Sequence, residues 1–154
     1  MHVTTLTFEQ IKEIWEKELW PNRESPIETH SAMTWPLTST IPYDMEIFEY
    51  VPVFFGIELD NKIVGVNSGH RTEDKGYRSR GLWVHPEYRK QGVGSLLLKI
   101  LCEEAYNRDC EWIWSIPRKS ALNTYKKAGF RTVGDFFDEG MEYGPNIYVY
   151  KDLD

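Results

Sequence analysis

Apolar and polar positions divide this chain into short alternating runs and a few segments of helical period. His2 to Leu6 reads as a first strand. Thr7-x-x-Gln10 has the form of a capping box, and Ile11, Ile14, Trp15 and Leu19 then share one face of a helix from Phe8 to Leu19 that Pro21 ends. Ser25-Pro26-Ile27-Glu28 repeats the start signal and predicts a second helix as far as Thr34, stopped by Trp35-Pro36. The stretch from Trp35 to Tyr50, with its prolines and Tyr43, Met45 and Phe48, keeps no period and is expected to be an ordered loop.

Val51 to Leu59 and Ile63 to Arg71 predict a hairpin around Asp60-Asn61-Lys62, and Tyr77 to Val84 adds a third antiparallel strand. A helix follows from Gly92 to Asn107, with Val93, Leu96, Leu97, Ile100 and Leu101 at helical spacing. The continuous apolar run Trp112-Ile113-Trp114 within Glu111 to Ile116 suits a strand buried on both faces beside a parallel neighbour. That order of strand, helix and strand predicts a right-handed crossover. A shorter helix from Ser120 to Ala128, stopped by Gly129, and strands Thr132 to Phe137 and Asn146 to Lys151 complete the chain.

Composition narrows the class without naming a function. At 154 residues the chain suits one domain, and 41% hydrophobic residues exclude a disordered one. No apolar run approaches membrane-spanning length, and Met1-His2-Val3-Thr4-Thr5 shows no leader pattern, so the expected place is the cytoplasm. Cys102 and Cys110 are too few for a disulfide framework and have no metal-ligand spacing, so both are read as packed side chains and no metal is expected. A formal charge of -6 argues against nucleic acid as the main partner and fits a cationic one.

Chemistry concentrates in Leu82-Trp83-Val84-His85-Pro86-Glu87-Tyr88-Arg89-Lys90-Gln91-Gly92-Val93-Gly94-Ser95. A strand ends at Val84, Pro86 cannot continue a ladder, and the glycines open a helix whose first N–H groups lack intrahelical acceptors. Those groups, the helix dipole, Arg89 and Lys90 make a seat for a phosphate or pyrophosphate, and Gly92 and Gly94 would let it approach the main chain. Without Gly-Lys-Ser or Gly-Lys-Thr after the glycines, a P-loop hydrolase does not fit.

Arg89-x-x-Gly92-x-Gly94 after a strand, followed by Tyr125-Lys126-Lys127-Ala128-Gly129-Phe130 at the end of the next predicted helix, resembles the two signature motifs of the GCN5-related N-acetyltransferase (GNAT) superfamily. The resemblance runs from about Tyr77 to Phe130. It implies an α/β acyl-CoA N-acyltransferase domain over residues 1–154, with a mixed, mostly antiparallel sheet of about seven strands flanked by about four helices. It also implies acetyl-CoA as donor, an amine of a small molecule or peptide as acceptor, and allows a homodimer. Gln91, Gly92, Val93, Gly94 and Ser95 would hold the pyrophosphate, assisted by Arg89 and Lys90. The main chain of Leu82, Trp83 and Val84 would pair with pantetheine and polarise the thioester carbonyl. Tyr125 would protonate the departing thiolate.

Two positions depart from the family pattern. Tyr77 to Val84 carries no carboxylate to act as base, which leaves Glu58, His70, Glu87 or a water chain, and leaves open a domain that binds acyl-CoA as a sensor without turnover. Arg118 stands where members often have Asn, and would either reach a CoA phosphate or lie on the surface. Asp138, Glu139, Glu142 and Tyr143 lie in a connection that borders the acceptor in the family and would favour an ammonium group, or form a solvated acidic loop.

Overall fold

Seven strands form one sheet in the computed structural model, which describes residues 1–31, 33, 35, 51–72, 75–138 and 141–154. They are β1 (His2–Thr5), β2 (Val53–Leu59), β3 (Lys62–Arg71), β4 (Gly76–Val84), β5 (Trp112–Ser115), β6 (Arg131–Phe137) and β7 (Asn146–Asp152). Their spatial order is β1-β2-β3-β4-β5-β7-β6. Every neighbouring pair is antiparallel except β4 and β5, which run parallel because a helix joins them. The mixed, mostly antiparallel sheet expected from the sequence is therefore present.

Among the described residues three α-helices cover it: α1 (Phe8–Ile14), α2 (Val93–Asn107) and α3 (Lys119–Lys127). Thr7 and Gln10 close the anticipated capping box on α1, which runs on as a π-helical turn from Trp15 to Leu19. Adjacent residues of β3 assign the faces. A methyl group on Gly65 would strike Val93 and Leu97 of α2, whereas Val66 packs with Ile11 of α1 and Trp15 of the π-helical turn that continues it. Hence α2 lies on one face of the sheet and α1 on the other, and the hydroxyl of Tyr125 on α3 meets Ser79 on the α2 side.

The second helix expected from Pro26 to Thr34 does not form over 26–31, while Ala32 and Thr34 lie outside the described residues. Tertiary partners have taken the groups that a helix would use. Glu142 accepts hydrogen bonds from the N–H groups of Glu24 and Ser25 and from the Ser25 hydroxyl that should have been the cap. Arg80 donates to the carbonyl of Glu28 at 2.9 Å, and the N–H of Ser31 donates to His70 Nε2 at 3.3 Å. A segment this short has little cooperative helix stability to set against these bonds. Of the loop expected over 35–50, Trp35 packs among Trp112, Trp114, Tyr148 and Tyr150, and residues 36–50 lie outside the described residues.

The strand β4 carries a bulge that the hydrophobic pattern did not announce. Val66 pairs with Trp83 and Ser68 with Arg80, so Gly81 and Leu82 stand opposite the single residue Asn67. Gly81 has φ of +76°, its carbonyl accepts from Trp15 Nε1 at 2.9 Å, and a methyl there would lie 2.4 Å from the indole. Backbone and packing both demand glycine. Gly81→Ala is expected to cost about 2 kcal/mol or more, whereas Gly134→Ala, also at positive φ but with open space around it, should cost about 1 kcal/mol. Urea unfolding midpoints at constant m would order the two variants.

His70 on β3 is wholly buried, with Nδ1 donating to the Arg71 carbonyl at 3.1 Å and Nε2 accepting from Ser31. Burial, reinforced by the nearby Arg78 charge, pushes its pKa well below the usual imidazole value. A depressed imidazole pKa stabilises the fold fully above the unfolded value and loses that contribution as pH falls below it. Unfolding free energy should therefore drop on acidification below about pH 6.5, with a slope from His70 approaching about 1.4 kcal/mol per unit. Denaturant titrations between pH 5 and 7 would show it, and a shallower slope in His70→Gln would assign it.

Candidate active site

Strands β4 and β5 pair through only three residues, Gly76 with Trp112, Tyr77 with Ile113 and Arg78 with Trp114. Beyond that point β4 runs on to Val84 while β5 ends at Ser115, so a fork opens between them. Along Ser79 to Val84 the inner edge of β4 has no strand partner among the described residues. Such an edge offers main-chain donors and acceptors to whatever enters.

The two residues just past the last pair are both serines, and both reach Tyr125. Ser79 Oγ lies 2.8 Å from the phenolic oxygen and Ser115 Oγ 3.1 Å from it. Ser115 also donates to the Ser79 carbonyl at 2.6 Å, and the amide of Asn67 donates to Ser79 Oγ at 3.0 Å. The Ser115 hydroxyl is thus shared as a donor between the Ser79 carbonyl and the phenolic oxygen. Tyr125 is 2% exposed, and burial raises its pKa while the two serine hydrogen bonds oppose the rise. The phenol accordingly stays protonated beyond its ordinary range. It stands at the apex of the fork.

Neither serine nor Asn67 was singled out in the sequence. A lone Ser or Asn on a strand has no distinguishing period, and only the parting of two strands distant in sequence gives these three a common purpose. Leu82, Trp83 and Val84 do form the fork's β4 arm. Trp83 is buried in the α1 cluster, and Leu82 and Val84 are half-buried toward α2.

The glycine turn leads from that arm into α2 through a short 3₁₀ turn, Pro86–Tyr88. Lys90 and Gly92 both have left-handed φ, +63° and +86°, and Gly92 is the cap residue of α2. It supplies no side-chain cap, the first turn carries no acidic residue, and the first internal bond is Leu96 N–H to Gly92 carbonyl at 3.0 Å. The N–H groups of Val93, Gly94 and Ser95 are thus the helix's unsatisfied donors, and they favour an anion. Space at Gly92 is open, as a close-approaching phosphate requires. Gly94 has a different reason to be small. A methyl there would lie 2.7 Å from Thr124 Cγ2, so this glycine sets the close contact of α2 with α3. Arg89 and Lys90 are exposed, with Arg89 Nε turned back to the Val84 carbonyl at 3.2 Å, and Gln91 Nε2 donates to the Glu87 carbonyl at 3.3 Å.

The candidate bases are scattered. Glu58 is exposed on β2 opposite His2, and Glu87 is exposed in the 3₁₀ turn. His70 lies across from Arg78 on the α1 face with both ring nitrogens already engaged. Arg118, expected either at a CoA phosphate or on the surface, is half-buried. Its Nη2 donates to the Leu19 carbonyl at 3.1 Å and its guanidinium lies 5.6 Å from the Tyr143 ring. Glu142 is spent on the backbone at Glu24 and Ser25, Asp138 lies against Gly144, and Glu139 is outside the described residues. Among the described residues no cluster of three His, Cys, Asp or Glu could hold a metal ion, and no helix is long and apolar enough to cross a membrane.

Known proteins share the fold and part of the sequence. The family model described as acetyltransferase (GNAT) domain matches residues 52–132, just over half of the chain and all of the fork. The uncharacterized N-acetyltransferase YitI of Bacillus subtilis (strain 168) is 32% identical over 83 residues, which span 53% of this chain and 54% of that protein. The chain thus matches about half the length of that curated relative. Among solved structures, an aminoglycoside 6'-N-acetyltransferase complexed with coenzyme A superposes with a TM-score of 0.69 at 15% identity, over 100% of this chain and 98% of that one. The IAA acetyltransferase from Bacillus cereus ATCC 14579 gives 0.67 at 19% identity, over 99% of both chains. At such identities the superpositions speak for the fold, and the family match speaks for descent. With the forked sheet, the uncapped α2 terminus and the matched residues 52–132 together, this chain belongs to the GNAT acetyltransferase family.

Proposed function

We propose that this chain is a single-domain, cytoplasmic N-acetyltransferase that moves an acetyl group from acetyl-CoA to a primary amine by direct attack. The observation that carries the reading is the fork whose apex holds the Tyr125 hydroxyl between Ser79 and Ser115. The donor fits the residues at its two polar ends. The unsatisfied N–H groups at the start of α2, with Arg89 and Lys90, suit a pyrophosphate, and the unpartnered inner edge of β4 suits a chain of amides laid along it. CoA supplies both chemistries in one molecule. Such thioesters are made and used inside the cell, which is the basis for placing the protein there.

In the reaction the amine nitrogen bonds to the thioester carbon, the carbon–sulfur bond breaks, and the thiolate takes one proton. Along Leu82, Trp83 and Val84 the main-chain N–H groups that alternate away from β3 face the developing oxyanion, where one well-aimed donor is worth about 3 kcal/mol. Tyr125 offers the proton. Its raised pKa keeps the phenol loaded, and a thiol of pKa roughly 8.5 leaves a thiolate basic enough to draw on it at close range. Asn67 and the two serines orient that hydroxyl. The amine loses its proton to solvent, since none of the three bases foreseen from sequence stands at the fork. Proximity does the remaining work.

Tyr125→Phe should lower kcat by roughly 10²-fold and leave the acetyl-CoA Kd within about twofold, because the lost group acts on the leaving sulfur. CoA-release kinetics over an amine panel, with calorimetry of acetyl-CoA binding, would check both. An unchanged kcat would remove Tyr125 from the proton path. Tight acetyl-CoA binding with no CoA release on any amine would favour the sensor.

A further inference from the structure

We infer that the acceptor is a small amine that also carries a carboxylate, as an α-amino acid does, and that Arg118 is the residue that selects it; this rests on the transferase reading above. Arg118 is the N-cap residue of α3, three positions past the end of β5 on the side where the fork opens. Its backbone is pinned to β7 by the Ile147 N–H to Pro117 carbonyl bond, the Asn146 Nδ2 to Ile116 carbonyl bond and a bridge to Asn146. From that fixed base the side chain crosses to the end of the π-helical turn, where Nη2 meets the Leu19 carbonyl. The same turn carries Trp15, whose indole holds the Gly81 bulge of β4. Arg118 therefore spans the fork on the α1 face.

The guanidinium is half-buried, and burial pulls its pKa below the usual arginine value. The four ion pairs among the described residues are Lys12–Glu16, Lys17–Glu13, Arg108–Glu104 and Arg131–Asp152, so Arg118 has no carboxylate partner there. One backbone carbonyl and one tyrosine face are its described contacts, and the bond to Leu19 uses one of the two Nη2 protons, so the second can form a two-point fork with Nε or Nη1 for an incoming group. A partly desolvated guanidinium gains most from a carboxylate taken bidentately. The surroundings agree. Arg80 lies over Trp15 and Trp20, and Arg23 lies 4.5 Å from the Trp20 ring. Glu142, which could have drawn a cation to this rim, is held by Glu24 and Ser25 and has its pKa lowered by those bonds. The net charge of -6 acts at long range, but inside a Debye length of about 8 Å the local guanidinium decides.

The test measures CoA release with matched sets of α-amino acids and their decarboxylated amines, on wild type, Arg118→Gln and Arg118→Lys, with acetyl-CoA affinity by calorimetry. The wild type should favour at least one amino acid over its amine by about tenfold or more in kcat/KM. Arg118→Gln should erase that preference through KM, Arg118→Lys should restore part of it, and acetyl-CoA affinity should stay within about twofold. Amines that serve as well as or better than every acid would overturn the inference, as would acetyl-CoA binding with neither set acetylated. A loss of acetyl-CoA affinity in Arg118→Gln with the preference intact would move Arg118 to the donor side and defeat it. A wild type that fails to bind acetyl-CoA would sink the transferase reading and this inference with it, whereas the other failures leave that reading standing.

Discussion

A parallel strand pair that stops after three residues sets the terms for everything around it. Beyond Arg78 the main chain of β4 has groups on its inner side that no strand answers among the described residues, and buried groups of that kind cost about 1–3 kcal/mol each when left unmade. Two devices hold the opening. Ser115 sends its proton back to the Ser79 carbonyl at the point of parting, and the bulge at Gly81 turns β4 away under the indole of Trp15. One closes the apex with polar contacts, and the other fixes the angle of the arm by packing.

The apex is polar inside a core, which is tolerable only when every group is matched. Asn67, Ser79, Ser115 and Tyr125 meet that condition among themselves, with the Asn67 carbonyl oxygen accepting from the Ser68 N–H at 3.0 Å. Because Ser79 and Ser115 both hold the phenol and are bonded to each other, the phenol has one position. Under the proposed reaction, a phenol held in this way would need no reorganisation when the sulfur leaves, so the rigidity that stabilises the network would also serve the chemistry.

The strands, α2, α3 and the glycine turn were legible because each announces itself locally, by period, cap or stop. The helix expected at Pro26 was not there because its signals were equally local, while Glu142, Arg80 and His70 made the stronger claim from far along the chain. Gly94 shows a related limit. Its presence in the motif was plain, but its reason, the approach of Thr124, is a contact between helices that no spacing records. Tyr125 was found through the motif that follows it, and its partners were invisible, since Ser79 and Ser115 become neighbours only when β4 and β5 pair.

Charge gives the sharpest contrast between the chain as a string and as a fold. Counting residues yields an acidic protein, and the acidic run after Phe137 extends that impression toward the expected acceptor side. Folding redistributes it. Glu142 turns to the N–H groups of Glu24 and Ser25 and the Ser25 hydroxyl, which hold its carboxylate ionised and in place, while Arg118 is drawn half out of water beside Tyr143 without a described carboxylate. A desolvated guanidinium costs the fold stability, and stability alone would have been better served by an apolar side chain of similar size. Such a residue is explained by what it receives. Net charge governs the approach of a substrate across tens of ångströms of water, but the sign of the group that fits at the fork is set by the few side chains within reach of it, and there the cation belongs to the protein.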